Sequence, residues 1–241
     1  MRIAITGVGG NLGTKLRRHL QDRYELVLLS NTSGGGPAIH AFDLSAWNNA
    51  WVNLLANVDV VVHLAANPSP VASWTELIPA NIDMVLNVYE ACESMGVGRL
   101  IFASSNHVMS GYRKGSIPVL RSDTPPCPGN PYGATKLIGE RIGKSFNERH
   151  GISSLNVRIG WNRREEDNRP GPEMGDWGRR MWLSDRDFCA LMECCIKAPA
   201  SLRWAVINGV SNNSGSNWDL TEAREHVGYQ PVDDAFDDKW P

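Results

Sequence analysis

The chain has 241 residues, enough to bury a sizeable core as one domain or as one domain with a small appendage. Its formal net charge of −2 and the lack of any apolar run near the ~20 residues that span a bilayer exclude the usual signatures of nucleic-acid and membrane partners. Five cysteines without Cys-x-x-Cys spacing indicate neither a disulfide framework nor a metal site, so we expect reduced thiols and a cytoplasmic protein.

The first turn of the chain is rich in glycine and joins a predicted strand to a predicted helix. Gly7, Gly10 and Gly13 recur every three residues, after a short apolar run and before leucines at helical spacing. The first glycine allows a tight turn, the second lets backbone N–H groups approach a pyrophosphate, and the third lets the helix pack closely on the strand. In this context the spacing predicts a dinucleotide site rather than an ordinary glycine-rich turn.

Short apolar runs alternate with helical patterns along most of the chain. The later runs are 26–29, 39–42, 58–64, 99–103, 154–159 and 204–208. The run 58–64 is almost continuously apolar, as expected for a strand that is buried on both faces. Helical patterns stand at 82–92, from Tyr132 onward, and at 221–227. The alternation predicts an α/β fold, a doubly wound and mostly parallel sheet of the Rossmann type with crossover helices.

Two stretches of the chain are rich in turn residues. Residues 123–131 hold four prolines, which predicts a loop that leads into the helix near Tyr132. Residues 163–178 are polar and contain Pro and Gly without periodicity, which predicts a second long loop. Loops of this length in compact domains are usually functional or disordered. We therefore expect the second loop to lie beside the substrate.

The C-terminal third begins and ends with helix signals. Ser184 and Asp187 have the spacing of a capping box that opens one helix, and Gly228 stands where a left-handed residue would close the last one. No linker separates two independent domains. We expect one compact unit, with a dinucleotide-binding core over residues 1–160 and a small substrate lobe, including a returning strand and helices, over residues 161–241.

Polar residues cluster where the predicted strands end. Thr6, Asn31, Asn67 and the run 104–107 follow the first, second, fourth and fifth strands. Ligands of open parallel sheets bind beyond the carboxyl ends of the strands. We therefore expect these residues to line one site.

Tyr132 and Lys136 are four residues apart at the start of a helix, so both side chains leave from one face. A tyrosine hydroxyl normally ionises near pH ~10. A neighbouring ammonium, or a positively charged nicotinamide ring, would lower that pKa, and the phenolate could then take a proton from a sugar hydroxyl while hydride leaves. Ser105 would orient the same oxygen by hydrogen bonding. These three residues are the predicted catalytic set.

Four motifs carry a resemblance to a known family. They are Thr6-Gly7-x-x-Gly10-x-x-Gly13, His63-Leu64-Ala65-Ala66, Ser104-Ser105 and Tyr132-x-x-x-Lys136. Together they resemble the extended short-chain dehydrogenases/reductases of the NAD-dependent epimerase/dehydratase family, over essentially the whole chain. The segments FASSNHV, NVRIG, MWLSDRDF and MECC are similar to the sugar-C1 dehydrogenase branch, which contains uronate dehydrogenases and haloarchaeal NAD-dependent glucose-6-phosphate dehydrogenases.

The resemblance implies an NAD(P)-dependent oxidation of C1 of a cyclic hexose derivative, a sugar phosphate or a uronic acid, to a lactone. It implies Tyr132 as general base, Lys136 on the cofactor ribose, and Ser105 as the orienting group. The expected cofactor residues are Gly7, Gly10, Asn11, Leu12, Gly13, Asn31, Asp43, Leu44, Leu64, Ala65, Ala66, Asn81, Tyr132, Lys136 and Ile159. The expected substrate residues are Asn67, Ser69, Ser105, Asn106, His107, Trp161, Arg179 and Arg180.

The cofactor's identity stays open at one position. An acidic residue that grips the adenosine ribose is expected at the end of the second strand, about 20 residues past the glycines. Asn31 stands there instead; its amide can bind ribose hydroxyls but would not repel a 2′-phosphate. NAD is therefore favoured through the resemblance, and NADP is not excluded.

The substrate side departs from the family pattern at two tryptophans. Trp177 stands where uronate dehydrogenases carry a carboxylate-binding arginine, although Arg179 and Arg180 lie close by and could substitute. Trp161 replaces a small polar residue after the RIG segment. These rings, and that of Trp182, would either stack on a sugar face or pack the lobe.

A cluster of arginines adds a hint about the substrate's charge. Its members are Arg163, Arg164, Arg169, Arg179 and Arg180. They favour an anionic sugar if they face the site; the alternative is a solvated charged loop.

Two other functions share this fold. A nucleotide-sugar epimerase or dehydratase would use the same Ser/Tyr/Lys set, but the chain is short for a lobe that holds a nucleotide diphosphate. A non-catalytic cofactor sensor would not need a proton-transfer group such as Tyr132. By analogy with the family, we expect a homodimer that pairs through the helices of Tyr89 and Tyr132.

Overall fold

A seven-stranded sheet forms the centre of the computed structural model, which describes residues 1–32, 38–114, 118–164 and 167–240. The strands are β1 (Arg2–Thr6), β2 (Glu25–Ser30), β3 (Ile39–Ala41), β4 (Val60–His63), β5 (Arg99–Ser105), β6 (Ser153–Ile159) and β7 (Trp204–Gly209). All paired neighbours are parallel, in the order β3-β2-β1-β4-β5-β6-β7. The predicted doubly wound α/β fold is confirmed.

Helices cover both faces of the sheet. They are α1 (Asn11–Leu20), α2 (Asn49–Val52), α3 (Trp74–Ile78), α4 (Met84–Met95), α5 (Pro131–His150), α6 (Gly175–Arg180), α7 (Asp185–Lys197) and α8 (Thr221–Val227). A π-helical turn, Pro79–Asp83, joins α3 to α4, and 3₁₀ turns span Asn53–Leu55, Asn106–Arg113 and Pro172–Met174. Among the described residues, none of the helices is both long and apolar enough to cross a bilayer.

The alternation of side chains along each strand divides the core into two layers. Ile3 and Ile5 point to one face, where they pack with Leu16 of α1, while Ala4 packs on the other face in a cluster that includes Trp51 and Tyr89. Both faces of the sheet are covered by helices, so the side chains of a central strand such as β4 are buried on either side. Neither face of such a strand needs polar residues. This is why the run 58–64 reads as continuously apolar.

The order of the strands reverses between β1 and β4. The chain runs outward from β1 through β2 to β3, then returns to place β4 on the opposite side of β1. Thr6 at the end of β1 pairs in register with His63 at the end of β4. The loops that leave these two ends therefore diverge and open a crevice, which is where such sheets bind ligands.

Two local predictions in the C-terminal third are wrong. The loop predicted over 163–178 is helical from residue 172 onward, because buried Met174 packs with Trp182 and Ala235 and fixes a segment too short to show periodicity. Glu165 and Glu166 of that loop lie outside the described residues. The predicted capping box is only half made, since Ser184 Oγ accepts a hydrogen bond from the Asp187 N–H at 3.0 Å but the Asp187 carboxylate accepts from other groups.

Other predicted boundaries hold. α5 begins at Pro131 with Asn130 as its N-cap, and Gly228 ends α8 in the left-handed conformation at φ +73°. β7, from the predicted second unit, pairs with β6 of the first. The division at residue 160 stays a prediction.

Candidate active site

The glycine turn between β1 and α1 is shaped by close backbone packing. Gly7 has φ +73°, and a Cβ there would lie 2.7 Å from the backbone nitrogen of Ala65. A Cβ at Gly13 would collide with the Gly7 carbonyl oxygen. No side chain caps α1 at Gly10, so the first-turn N–H groups have no side-chain acceptor. This turn fits a pyrophosphate, which would take those N–H groups at the positive end of the helix dipole.

Two adjoining cavities lie over the carboxyl ends of β1 and β4. The larger, of about 430 Å³, reaches Ser105 and Tyr132, and the smaller, of about 270 Å³, reaches Asn31 at the end of β2. Both are lined by Gly7 and Gly10, so the glycine turn lies at their junction. An elongated dinucleotide fits this arrangement, with its pyrophosphate at the junction and its two ends in the two cavities.

Most of the sequence-predicted site residues line these cavities. From the cofactor set they are Gly7, Gly10, Asn11, Leu12, Gly13, Asn31, Leu44, Leu64, Ala65, Ala66, Tyr132, Lys136 and Ile159. From the substrate set they are Asn67, Ser105, Asn106, His107 and Trp161.

Three predicted site residues are not among those that line the two cavities. Asp43 is exposed and accepts hydrogen bonds from the Ser45 hydroxyl at 2.7 Å and N–H at 2.9 Å, which lower the pKa of its carboxyl group. Asn81 is buried and accepts from the N–H of Asn67 at 2.8 Å, so it supports a cavity residue from behind. The Ser69 N–H donates to Asn67 Oδ1 at 3.1 Å.

Arg179 and Arg180 are not among the residues that line either cavity. Arg179 donates to the Ala235 carbonyl at 2.6 Å and lies 4.2 Å over the ring of Phe236. Arg180 donates to Asn217 Oδ1 at 3.4 Å. Both guanidinium groups therefore bind the C-terminal part of the chain, and the structure does not bring them together with the other predicted substrate residues.

Tyr132 and Lys136 enter the larger cavity from the first turns of α5, and Ser105 enters from the end of β5. Burial raises the pKa of the Tyr132 hydroxyl above its usual value, although hydrogen bonding to Ser105 and the positive charge of Arg164 oppose this. Burial lowers the pKa of Lys136 to about 7. Its Nζ donates to the Ala103 carbonyl at 2.9 Å and lies 5.8 Å from the centre of the Tyr132 ring.

The expectation that Lys136 lowers the pKa of Tyr132 stays a prediction, because burial has the largest effect on the pKa of that hydroxyl. Burial is the dominant influence on both groups, and it disfavours the charged form of each. Arg164, which lines the same cavity, is a cation whose charge lowers the pKa of the phenol. Sequence spacing could place the two side chains on one face but could not report how deeply that face is buried.

His107 is held as a neutral hydrogen-bond donor. The side-chain oxygen Oδ1 of Asn130 accepts from the Gly133 N–H at 2.8 Å, so the side-chain NH₂ faces His107 Nδ1, also at 2.8 Å, and donates to it. The ring proton then lies on Nε2. Burial is the main cause that lowers the pKa of His107, with a smaller effect from Arg113, so a charged imidazole is disfavoured at neutral pH.

Asn106 joins the ends of two strands. Its side-chain amide donates to the Ile159 carbonyl at 3.0 Å, and Ile159 is the last residue of β6. The strand β5 ends one residue earlier, at Ser105, which pairs in register with Ile159. Asn106 thereby holds the end of β5, at Ser105, at a fixed distance from the segment after β6, which begins at Gly160.

The comparison with protein families decides what kind of site this is. Residues 3–162 match the NAD dependent epimerase/dehydratase family. The chain belongs to this family. The resemblance drawn from the sequence motifs is thereby confirmed.

Curated relatives and solved structures are similar to the chain over nearly its whole length. The NAD-dependent glucose-6-phosphate dehydrogenase of Haloferax volcanii is 31% identical, over 97% of this chain and 94% of the relative. The L-arabinose 1-dehydrogenase (NAD(P)(+)) of the same organism is 32% identical, over 97% of each. The uronate dehydrogenase of Agrobacterium tumefaciens, solved in complex with NAD, is 29% identical with a TM-score of 0.85, over 97% of this chain and 85% of that one.

The five arginines near the site of this family member have different neighbours. Arg163 pairs with Glu173, and Arg169 pairs with Asp167 at 3.0 Å. Arg179 and Arg180 bind C-terminal segments, as described above. Arg164 lines the larger cavity. The sequence named Arg164 only as one of this cluster and not among the expected substrate residues, because five arginines in a polar stretch carry no signal that tells one from another.

The three tryptophans singled out from the sequence also lie in different surroundings. Trp182 is 1% exposed and donates from Nε1 to the Asn168 carbonyl at 3.0 Å, so it packs the interior. Trp177 lies 6.4 Å from the ring of Trp218 and outside the cavity lining. Trp161 is 37% exposed and lines the larger cavity. Of the three rings that we expected to stack or pack, the position of Trp161 alone suits contact with a sugar.

Proposed function

We propose that this chain oxidises the anomeric carbon of a cyclic hexose derivative that carries an acidic group, a uronic acid or a sugar phosphate, to the lactone. The observation that carries the proposal is the placement of Ser105, Tyr132, Lys136 and His107 around one cavity that continues onto the glycine turn. At the coarser level the prediction is confirmed, since the chain's relatives are NAD-dependent sugar dehydrogenases.

Each of these residues has a role in the proposed reaction. Bound NAD supplies the acceptor for the hydride that leaves C1. Tyr132 Oη takes the proton of the C1 hydroxyl, so that O1 becomes the lactone carbonyl oxygen. Ser105 orients O1, and the Nε2–H of His107 donates to a second sugar oxygen. Lys136 would hold the ribose hydroxyls beside Tyr132, and its pKa of about 7 lets its charge change near neutral pH.

Arg164 supports an acidic substrate. Its guanidinium lines the same cavity as Tyr132 and is close enough to lower the pKa of that hydroxyl. A guanidinium in this cavity would bind a carboxylate or phosphate of the substrate. The alternative is a neutral sugar, as the name of the L-arabinose relative indicates for that protein.

The smaller cavity bears on the choice between NAD and NADP. Exposed Asn31 lines it beside Leu44. Its amide can accept and donate hydrogen bonds with ribose hydroxyls, and it carries no charge that would repel a 2′-phosphate. We propose NAD as the main cofactor, with measurable use of NADP.

A panel of sugars tests the proposal against the epimerase alternative. The purified protein is incubated with NAD or NADP and with glucuronate, galacturonate, glucose 6-phosphate, glucose, arabinose or UDP-glucose. Reduced cofactor formed in step with an acidic free sugar supports the dehydrogenase. Conversion of UDP-glucose without net reduction of the cofactor would instead establish the epimerase, which shares the fold and the Ser/Tyr/Lys set.

We also propose a cytoplasmic homodimer that pairs through α4 and α5. Leu86 on α4 and Ile138 on α5 are 38% and 37% exposed, and a groove lined by Trp47 and Phe146 runs between the two helices. Pairing through this face would cover those side chains. Sedimentation velocity at micromolar concentration measures the assembly, and a single species of 26.6 kDa would contradict it.

A further inference from the structure

A polar cluster joins the helix of the glycine turn to the substrate side of the larger cavity. We call residues 161–164, which follow β6, the rim. Asn11, the first residue of α1, donates from Nδ2 to Asn162 Oδ1 at 3.0 Å and to the Arg163 carbonyl at 3.1 Å. One turn later, Lys15 Nζ donates to the same two acceptors at 2.8 and 3.1 Å. Both anchors of the rim therefore stand on the cofactor-side helix.

The cluster is completed by a carboxylate from a third element. Asp185, the first residue of α7, accepts on Oδ1 from Lys15 at 2.7 Å, from Asn162 at 2.9 Å and from Asn168 at 2.8 Å. Asn168 also accepts from the Arg163 N–H at 2.6 Å, and its backbone has φ +46°, which asparagine tolerates better than most residues. The side chain of Lys15 is only 15% exposed, so water competes little for its ammonium.

The cluster lies between the two halves of the site. Asn11 lines the larger cavity next to the glycines, and Trp161, Asn162 and Arg164 of the rim line the same cavity beside it. A ligand that orders the first turn of α1 therefore also orders the donors that hold the rim. In the same way, a ligand that grips the rim acts on α1 through Asn11.

We propose that Lys15 and Asp185 are positioning residues that hold the rim against α1 and thereby couple cofactor binding to the ordering of the sugar-binding side. Neither side chain is among those that line the cavity, so they act through Asn162 and its neighbours. The part of this proposal that concerns the sugar rests on the proposed function. The link between cofactor and rim does not, because it needs only the cofactor.

Hydrogen exchange measures that link directly. Peptides that contain the rim are followed by mass spectrometry with and without NAD in the natural protein, in Lys15→Met, and in a control, Lys144→Met, which removes an exposed lysine paired to Glu148 at 3.8 Å on α5. We expect NAD to slow exchange of the rim in the natural protein and in the control, and to have little effect on it in Lys15→Met. Unchanged rim exchange with saturating NAD in the natural protein would overturn the proposal.

Kinetics separate positioning from a merely structural role. Losing a charge-assisted hydrogen bond should raise the KM for the sugar by about tenfold in Lys15→Met, with kcat changed by less than about threefold. Lys15→Arg, which keeps the charge, should recover most of that loss. Because coupling is reciprocal, the sugar should tighten NAD binding in the natural protein and do so less in Lys15→Met. The contrary result is that Lys15→Met lowers the melting temperature while leaving both the KM for the sugar and the effect of NAD on rim exchange as in the natural protein. That result would assign Lys15 and Asp185 to stability alone and overturn the proposal.

The sugar panel and the hydrogen-exchange experiment can distinguish failure of the proposed function from failure of the coupling. If no sugar of the panel reduces the cofactor but NAD still protects the rim through Lys15, the proposed function is wrong and the link to the cofactor stands. If an acidic sugar is oxidised but neither NAD nor the Lys15→Met change alters hydrogen exchange of the rim, the proposed function stands and the coupling is wrong.

Discussion

The two walls of the larger cavity are built by different means. One wall consists of strand ends and the N-terminal turns of helices, where Gly7, Ser105 and Tyr132 follow directly from β1, β5 and the cap of α5. The other wall is the rim and the segment up to α7, which is held by side-chain amides and one carboxylate. Regular elements hold the first wall through backbone hydrogen bonds, so its geometry tolerates most surface changes. The second wall depends on a few side chains, which makes it the part of the site that substitution can most easily retune.

The largest effect on activity should come from a change at Tyr132, in the wall formed by strand ends and helix N-terminal turns. Tyr132→Phe removes the proton acceptor, and we expect kcat to fall by about 10³-fold, within the range for loss of a general base. NAD affinity should change little because the ring and the glycine turn remain. Tyr24→Phe, which removes a hydroxyl bonded to Glu193 at 3.4 Å far from the cavity, is the matched control. Turnover by Tyr132→Phe within tenfold of the natural enzyme would contradict the assignment.

Lys136 should make stability depend on pH. Its pKa falls from 10.5 in a free side chain to about 7 in the folded protein. Between these values the unfolded chain binds the proton that the folded chain has released, so the free energy of unfolding should rise with pH by up to about 1.4 kcal/mol per unit. Urea unfolding at pH 7 and pH 9 measures this slope.

The variant Lys136→Met isolates that contribution. It lacks the titrating group, so its unfolding free energy should show a smaller rise between pH 7 and pH 9 than that of the natural protein. Equal slopes in the two proteins would show that Lys136 keeps its proton throughout, and that the ammonium is better solvated than its burial indicates.

A substitution of Arg164 tests the second wall, which is formed by the rim and the segment up to α7. Arg164→Met should raise the KM for a uronic acid or sugar phosphate by about tenfold, as expected for loss of one charge-assisted contact, while the KM for a neutral sugar changes little. Arg169→Met removes an exposed arginine that pairs with Asp167 outside the cavity and serves as control. If both sugars lose affinity equally, Arg164 shapes the rim and does not recognise the acidic group.

The smallest effect should come at the far end of the smaller cavity. Asn31→Asp adds a negative charge beside the ribose position, which should shift the ratio of kcat/KM for NAD over NADP upward by roughly fivefold to tenfold, since an exposed charge pair is partly screened. The matched change Asn57→Asp, at a left-handed turn with φ +60°, adds the same charge elsewhere. A cofactor ratio that does not move in Asn31→Asp would place the ribose away from this residue.

Local patterns were informative wherever a function depends on spacing within one element. The glycines at 7, 10 and 13, the Tyr132/Lys136 pair and the serine end of β5 all occupy positions that the alternation of strands and helices defines, and the structure places them on one cavity. The failures are of another kind. Asp187 has the spacing of a capping residue, but the Ser211 hydroxyl donates to its carboxylate at 2.6 Å, and a distant group of this kind leaves no local trace.

The sequence by itself determined the parallel α/β fold, the position of the glycine turn and the placement of Ser105, Tyr132 and Lys136 at the ends of their elements, because hydrophobic periodicity and short-range spacing encode them. Only the tertiary structure decided that Arg164, of five similar arginines, lines the cavity, and that Lys15 reaches Asn162 across 147 residues of chain. The physical reason is that a polar side chain takes whichever acceptor the fold brings near. That choice is made by packing between elements, after their individual patterns have been satisfied.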